Sequence, residues 1–133
     1  QNVVYGDYLY LIGGGWRYAP TNEAERFCHK TAQWEPLPPM RFGRAGAAAA
    51  VTEAGDIYVC GGFRQPADAM QAATGVECFR QSRCAWETVD NTSVEQSFPC
   101  AATMGNHLYV FGGRDYVGRP TETAARLDLR DGV

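Results

Sequence analysis

Two histidines, five cysteines and a run of glycines are the residues of this 133-residue chain whose types suggest chemistry. A metal centre or a nucleophile–base pair needs partner residues at fixed spacing, and neither His29 nor His107 has a second ligand at metal spacing nearby. "IGGGW" at 12–16 invites a nucleotide reading, but the lysine, the helix and the later glycine of a phosphate-cradling loop are missing. There is no Gly-x-Ser-x-Gly elbow for a nucleophilic serine. Cys28, Cys60, Cys78, Cys84 and Cys100 show no Cys-x-x-Cys spacing, and their odd number argues for reduced thiols in the cytosol or nucleus. The residues therefore predict no catalytic set, no metal and no cofactor, and a cytoplasmic protein, with nuclear and cytoskeletal settings as alternatives.

The glycines have a different logic. Leu9-Tyr10-Leu11-Ile12-Gly13-Gly14, Ile57-Tyr58-Val59-Cys60-Gly61-Gly62 and Leu108-Tyr109-Val110-Phe111-Gly112-Gly113 share one pattern: an apolar residue, Tyr, two apolar residues, two glycines. Gly13 to Gly61 is 48 positions, Gly61 to Gly112 is 51, and Trp34 to Trp86 is 52. Phe27 precedes Trp34 by seven residues as Phe79 precedes Trp86, with Glu25 and Glu77 two positions earlier still. A repeat of this length is one supersecondary unit that buries its apolar face only by stacking on neighbours, as in solenoids, propellers and arrays.

Short β-branched and aromatic runs separated by turn residues, with no long helical period, select strands. Gly6-Asp7, Ala54-Gly55 and Gly105-Asn106 supply the hairpin turn before each glycine-pair strand. In the middle unit the pattern predicts strands near 45–52, 56–61, 75–80 and 85–89. The alanine run 47–50 has the highest helix propensity of any residue type, yet small side chains also suit the crowded innermost strand of a propeller, and Pro99-Cys100-Ala101-Ala102-Thr103 is the corresponding small stretch of the third unit. The strand reading is preferred.

With the glycine pairs, the Glu-x-Phe and Trp spacings, "WEPLPPM", "GVECF" and "HLYVFGG" in place, the chain resembles the kelch repeat, and most of all the β-propellers of kelch-like proteins. The resemblance implies an all-β fragment of a kelch-type propeller with four-stranded antiparallel blades. Division of the length by about 50 residues per repeat predicts roughly 2.7 repeats. The expected units are a blade over 1–41 lacking most of its innermost strand, a complete blade over 42–92, and a blade over 93–133 lacking its outermost strand. The remainder of the ring would come from further sequence or from other chains. Two departures stand out: Glu95-Gln96-Ser97-Phe98 replaces the arginine that Arg44 leads one to expect, and Cys28-His29 replaces a Tyr-Asp-like pair.

Function in propellers sits on the loops. The loops after the glycine pairs bring Trp16, Arg17 and Tyr18, then Phe63 and Arg64, then Arg114 and Tyr116 toward one face, a composition that suits binding hot spots. By resemblance, that face and the segments entering the innermost strands hold a short peptide or degron of a partner protein. Arg44 has two readings, pairing with an acidic group of the partner or bracing a neighbouring blade. Gly13, Gly14, Gly61, Gly62, Gly112, Gly113, Tyr10, Tyr58, Tyr109, Trp34 and Trp86 are assigned to structure, the aromatics to packing between blades. Only a fifth of the residues are charged and the formal charge is −3, which leaves no basic footprint for nucleic acid, and separately no apolar stretch reaches membrane-spanning length. The resemblance implies a non-enzymatic interaction module, as in substrate adaptors of cullin-RING ubiquitin ligases. A structural propeller in a cytoskeletal or other large assembly is the alternative, and a kelch-type oxidase or sugar mutarotase with its catalytic residues on other blades is a further one.

Overall fold

The structure is a computed structural model that describes residues 1–15, 19–64, 73, 75–89 and 94–129. Among these the regular elements are all strands: β1 (Asn2–Tyr5), β2 (Tyr8–Ile12), β3 (Ala24–Cys28), β4 (Gln33–Leu37), β5 (Ala48–Val51), β6 (Ile57–Cys60), β7 (Val76–Arg80), β8 (Ala85–Val89), β9 (Cys100–Met104), β10 (His107–Phe111) and β11 (Ala124–Asp128). They form three antiparallel meanders in the orders β1-β2-β3-β4, β5-β6-β7-β8 and β9-β10-β11. β5 lies against both β1 and β9, so the first strand of each sheet is the inner one.

The alanine run is a strand. Ala48 and Ala50 sit in the core between the second and third sheets, where a neighbouring inner strand leaves no room for larger side chains. The strand starts at Ala48 rather than at Ala45, because Gly46 takes a left-handed φ of 60° and turns the chain into the sheet. The first sheet corrects one expectation. It has all four strands, since its inner strand needs only Asn2–Tyr5, as the second sheet's needs only Ala48–Val51.

Strand alternation gives each sheet two apolar faces. The Tyr10 face of the first sheet, with Val3, Ile12 and Ala24, packs on Ile57, Val59 and Phe79 of the second. One step on, the Tyr58 face of the second sheet, with Ala48, Ala50, Cys60 and Cys78, packs on Leu108 and Val110 of the third. The same two faces therefore meet at both contacts. Side chains lock them: Gln81 donates to the Tyr10 hydroxyl at 2.9 Å, Trp86 Nε1 to the Pro38 carbonyl at 2.7 Å, and Thr103 Oγ1 to the Val51 carbonyl at 2.6 Å.

The paired glycines have two separate jobs. A Cβ on Gly13 would meet the Arg44 carbonyl at 2.8 Å, and one on Gly61 would strike the Gln96 carbonyl, in both cases the segment that leads into the next sheet. A Cβ on Gly62 would meet Ala45 O at 2.5 Å and Ala47 N at 2.9 Å, the segment that enters its own sheet. The backbone approach yields hydrogen bonds from Gly14 N to Arg44 O at 2.7 Å and from Gly62 N to Gln96 O at 2.9 Å, which join successive sheets.

Arg44 is 1% exposed and belongs to this frame. Its Nε meets Glu77 Oε2 at 3.1 Å, and its Nη1 donates to the carbonyls of Gly61 at 3.2 Å and Gly75 at 3.1 Å. Glu77 Oε1 also accepts from Arg41 N at 2.6 Å, so one carboxylate holds both ends of the segment 41–44 against β7. In the third sheet the pair is replaced at both positions. Gln96 stands where Arg44 does and donates to Thr123 O at 3.2 Å, while Ala125, paired with Val110 as Glu77 is with Val59, has no charge to satisfy.

Two outcomes follow for stability. Arg44→Leu leaves Glu77 buried without its cation and should cost about 3–5 kcal/mol, whereas the double change Arg44→Gln with Glu77→Ala, which copies the third sheet, should recover a large part of that loss in urea unfolding. Gly62→Ala, with φ at +88° and backbone within 2.5 Å of the new methyl group, should lose at least twice the unfolding free energy lost by Gly105→Ala, which has φ at +56° and meets nothing within 4 Å. Equal losses in thermal unfolding would show that the close approach is not what Gly62 serves.

Candidate partner-binding face

Each sheet turns its β1–β2 type hairpin to one end of the molecule and its longer connections to the other. At the latter end the β2–β3 loop is tied to the segment 38–47 by Asn22 Nδ2 donating to Met40 O at 2.9 Å and Arg44 N to Thr21 O at 3.1 Å. Phe63 and Ala45 exchange backbone hydrogen bonds at 2.9 and 3.0 Å, and Arg114 and Ser97 do the same at 2.8 and 3.0 Å. Short two-way bonds of this kind fix the loop starts, so the side chains just beyond them are presented from a rigid base.

Two groups of aromatic and cationic side chains lie at this end. The Arg64 guanidinium lies 3.8 Å from the Phe42 ring centroid, and that of Arg41 lies 5.1 Å from the same ring. Phe63 and Phe98 meet at 6.0 Å with their planes 51° apart. Burial, and next the positive charge of Arg44, hold the Arg64 guanidinium below its ordinary value. Phe98 is 57% exposed and adopts φ of 52°, which an L-phenylalanine rarely does. It occupies the place of Gly46 in the preceding repeat, donates its N–H to Gly46 O at 2.6 Å, and lays its ring where a side chain on Gly46 would be. Between the segment before Phe98 and the β10–β11 loop, Glu95, Gln96, Asp115, Tyr116, Thr121 and Thr123 line a cleft of about 320 Å³.

Of the residues singled out in the sequence for partner binding, Phe63 meets Phe98 and Arg64 lies over Phe42. Tyr116 is exposed beside the cleft, and Arg114 is held in its own loop by a bond from Nη1 to Gly118 O at 2.9 Å. Arg44 lies beneath the face with its guanidinium committed to Glu77, because the segment 41–44 turns its side chain toward β7. Trp16, Arg17 and Tyr18 lie outside the described residues. Sequence reasoning passed over Arg41, Phe42 and Phe98. An Arg–Phe pair in the segment before an inner strand, and a phenylalanine in register with a glycine of the previous repeat, were the available signals.

Of the structural set, Tyr10 and Tyr58 are buried between sheets and Trp86 packs at the first contact, while Trp34 and Tyr109 lie on the outer faces of the first and third sheets. Burial pushes the Cys60 and Cys78 thiols up to about 12, and the Tyr58 hydroxyl also to about 12 with the neighbouring Cys78 adding to it. Such groups are poor nucleophiles near neutral pH. Hydrogen bonds from Thr31 lower the Cys28 thiol. Among the described residues no three His, Cys, Asp or Glu side chains gather as metal ligands, and no helix is long and apolar enough to cross a membrane.

The chain matches known proteins in the same terms. The family model of the Kelch motif matches residues 2–41 and 97–133. An F-box/kelch-repeat protein of Arabidopsis thaliana is 37% identical over 95 residues, which is 70% of this chain and 26% of that protein. A kelch repeat-containing protein of the same plant is 32% identical over 122 residues, 89% of this chain and 28% of that protein. The Kelch repeat protein M-T8 of myxoma virus is 41% identical over 61 residues, 45% of this chain and 12% of that protein. The chain spans about a quarter of the length of the two plant relatives. Two matched repeats, a Tyr-containing strand ending in a glycine pair three times over, and three stacked antiparallel sheets with no helix among the described residues agree: the chain belongs to the kelch-repeat family and has the all-β fold of kelch propeller blades.

Proposed function

We propose that this chain is a non-enzymatic protein-interaction module whose loop face recognises a short acidic segment of a partner protein. The observation that carries this reading is the placing of Arg41 and Arg64 over the Phe42 ring, with the adjoining Phe63 against an exposed Phe98. These guanidinium groups lie over the Phe42 ring, and cations set beside apolar rings suit a carboxylate flanked by apolar side chains. The aromatic rings offer contact area at small entropic cost. In a longer protein such a face acts as the selecting half of an adaptor. The F-box/kelch-repeat relative carries in its name a second domain beside the repeats, which fits a recognition module working next to a recruiting one. Degron recognition for a ubiquitin ligase is the form of the proposal that this pairing favours.

The test is a selection of displayed random peptides on the immobilised chain, followed by affinity measurement on variants. Selected peptides should carry a carboxylate, and Arg64→Ala and Phe98→Ala should each weaken them at least tenfold, about 1.4 kcal/mol. A set of peptides without acidic residues, or peptides that bind both variants as tightly as the unaltered chain, would overturn the reading.

A further inference from the structure

The third repeat keeps the acceptors of a buried guanidinium site and lacks the guanidinium. In the second repeat Arg44 Nη1 donates to the carbonyls of Gly61, Ala73 and Gly75 at 3.2, 3.4 and 3.1 Å, and Arg44 Nε donates to Glu77. The counterparts of those carbonyls in the third repeat are on Gly112, Thr121 and Thr123. Ala124 pairs with Phe111 as Val76 pairs with Cys60, and Thr121 N donates to Gly113 O as Ala73 N does to Gly62 O. Gln96, in the place of Arg44, reaches Thr123 O alone, and no side chain among the described residues donates to the carbonyls of Gly112 and Thr121. Gln96 is 6% exposed, yet among the described residues nothing donates to its Oε1.

The cleft of about 320 Å³ lies between the same linker and the same connection, with Gln96, Thr121 and Thr123 in its wall. Its polar groups suit a cation. Glu95 and Asp115 bring carboxylates, Tyr116 and the two threonines bring hydroxyls, and none of the lining residues is basic. Asp115 is fixed in position, its Oδ1 accepting from Val117 N at 3.0 Å and Arg119 N at 2.8 Å. The cations of this loop do not fill the cleft's needs: Arg114 Nη1 donates to Gly118 O, and the exposed Arg119 stands with Nε 3.7 Å from Asp115 Oδ2. Among the described residues no cation pairs with Glu95, which is exposed.

We propose that this cleft takes an arginine side chain of a partner protein, supplied from outside at the place where the second repeat carries Arg44. A guanidinium is a planar fork of donors with no acceptor. It matches a wall of carbonyls, hydroxyls and an amide oxygen, with two carboxylates to give charge-assisted bonds. A lysine ammonium is a compact point charge and uses fewer of these acceptors at once. That the arginine comes from a partner rests on the reading of this end as a recognition face. The capacity for a guanidinium rests on the comparison of the two repeats alone.

Titration of the chain with N-acetyl-arginine amide, read from the backbone amide shifts of Thr121 and Thr123 by NMR, should saturate. The neutral isostere N-acetyl-citrulline amide and N-acetyl-lysine amide should each bind at least tenfold more weakly at the same ionic strength. Gln96→Arg with Ala125→Glu rebuilds in the third repeat the pair of the second and should abolish binding. Should that double variant lose its cooperative thermal unfolding, Glu95→Gln, a change at an exposed side chain, carries the test by weakening the arginine amide at least threefold. No saturation, equal binding of the citrulline or lysine amide, or binding unaltered in the folded variants overturns the proposal. The probe has no carboxylate, so its binding stands apart from whether the selected peptides are acidic. Those peptides should also carry an arginine, and a selection without one, where the arginine amide still binds, overturns the partner as its source.

Discussion

The structure depends on backbone meeting backbone at the glycine pairs. The segment leading into each sheet must pass between the end of its own second strand and the end of the preceding sheet's second strand. Its carbonyls approach both so closely that no Cβ fits on either side, at Gly61 from the next sheet and at Gly62 from its own. Two consecutive residues without side chains are the minimum that such a double approach allows. The hydrogen bonds that result, Gly14 to Arg44 and Gly62 to Gln96, set the step from one sheet to the next before any side chain is considered. Aromatic packing between sheets then fills a spacing already decided.

Once that step is set, charge is placed with economy. Arg44 and Glu77 are both 1% exposed, and a buried ion pair adds little net stability compared with apolar residues of similar size. Its effect is positional: the carboxylate takes Arg41 N as well as Arg44 Nε, and the guanidinium reaches two carbonyls at the ends of the β6–β7 connection. The linker and the long loop are thereby fastened at the same point, which is the base of the loop face. The third sheet manages with Gln96 and Ala125, losing both charges together rather than stranding one.

The frame was legible in the sequence because it rests on residue types with few alternatives. Glycine pairs, turn glycines and the fixed distance from Phe to Trp each answer to one backbone need, and every copy of the repeat states it again. The alanines needed the repeat to be read at all, since their own propensity points to a helix. The face was less legible for a physical reason. Arg44 and Arg41 are three residues apart in one segment, and only the fold decides that the first is drawn under the surface by Glu77 and the second stacks above Phe42. The extent of the first sheet was misjudged for a simpler one, because an inner strand of four residues is shorter than the pattern suggested.

Phe98 shows how the frame and the face are joined. At Gly46 the chain turns into its sheet through a left-handed residue, and glycine takes that conformation without strain. The third repeat makes the same turn with phenylalanine, at a cost of roughly 1–2 kcal/mol for the backbone alone. Nothing in the turn requires a ring, since Gly46 performs it without one. What the ring provides is cover for Gly46 on one side, contact with Phe63, and an exposed edge toward solvent on the other. A repeat protein can accept local strain of this kind because the same step is secured elsewhere by the glycine pairs. The position where one repeat departs from its neighbour's glycine is therefore also the position where the scaffold yields to the surface it carries.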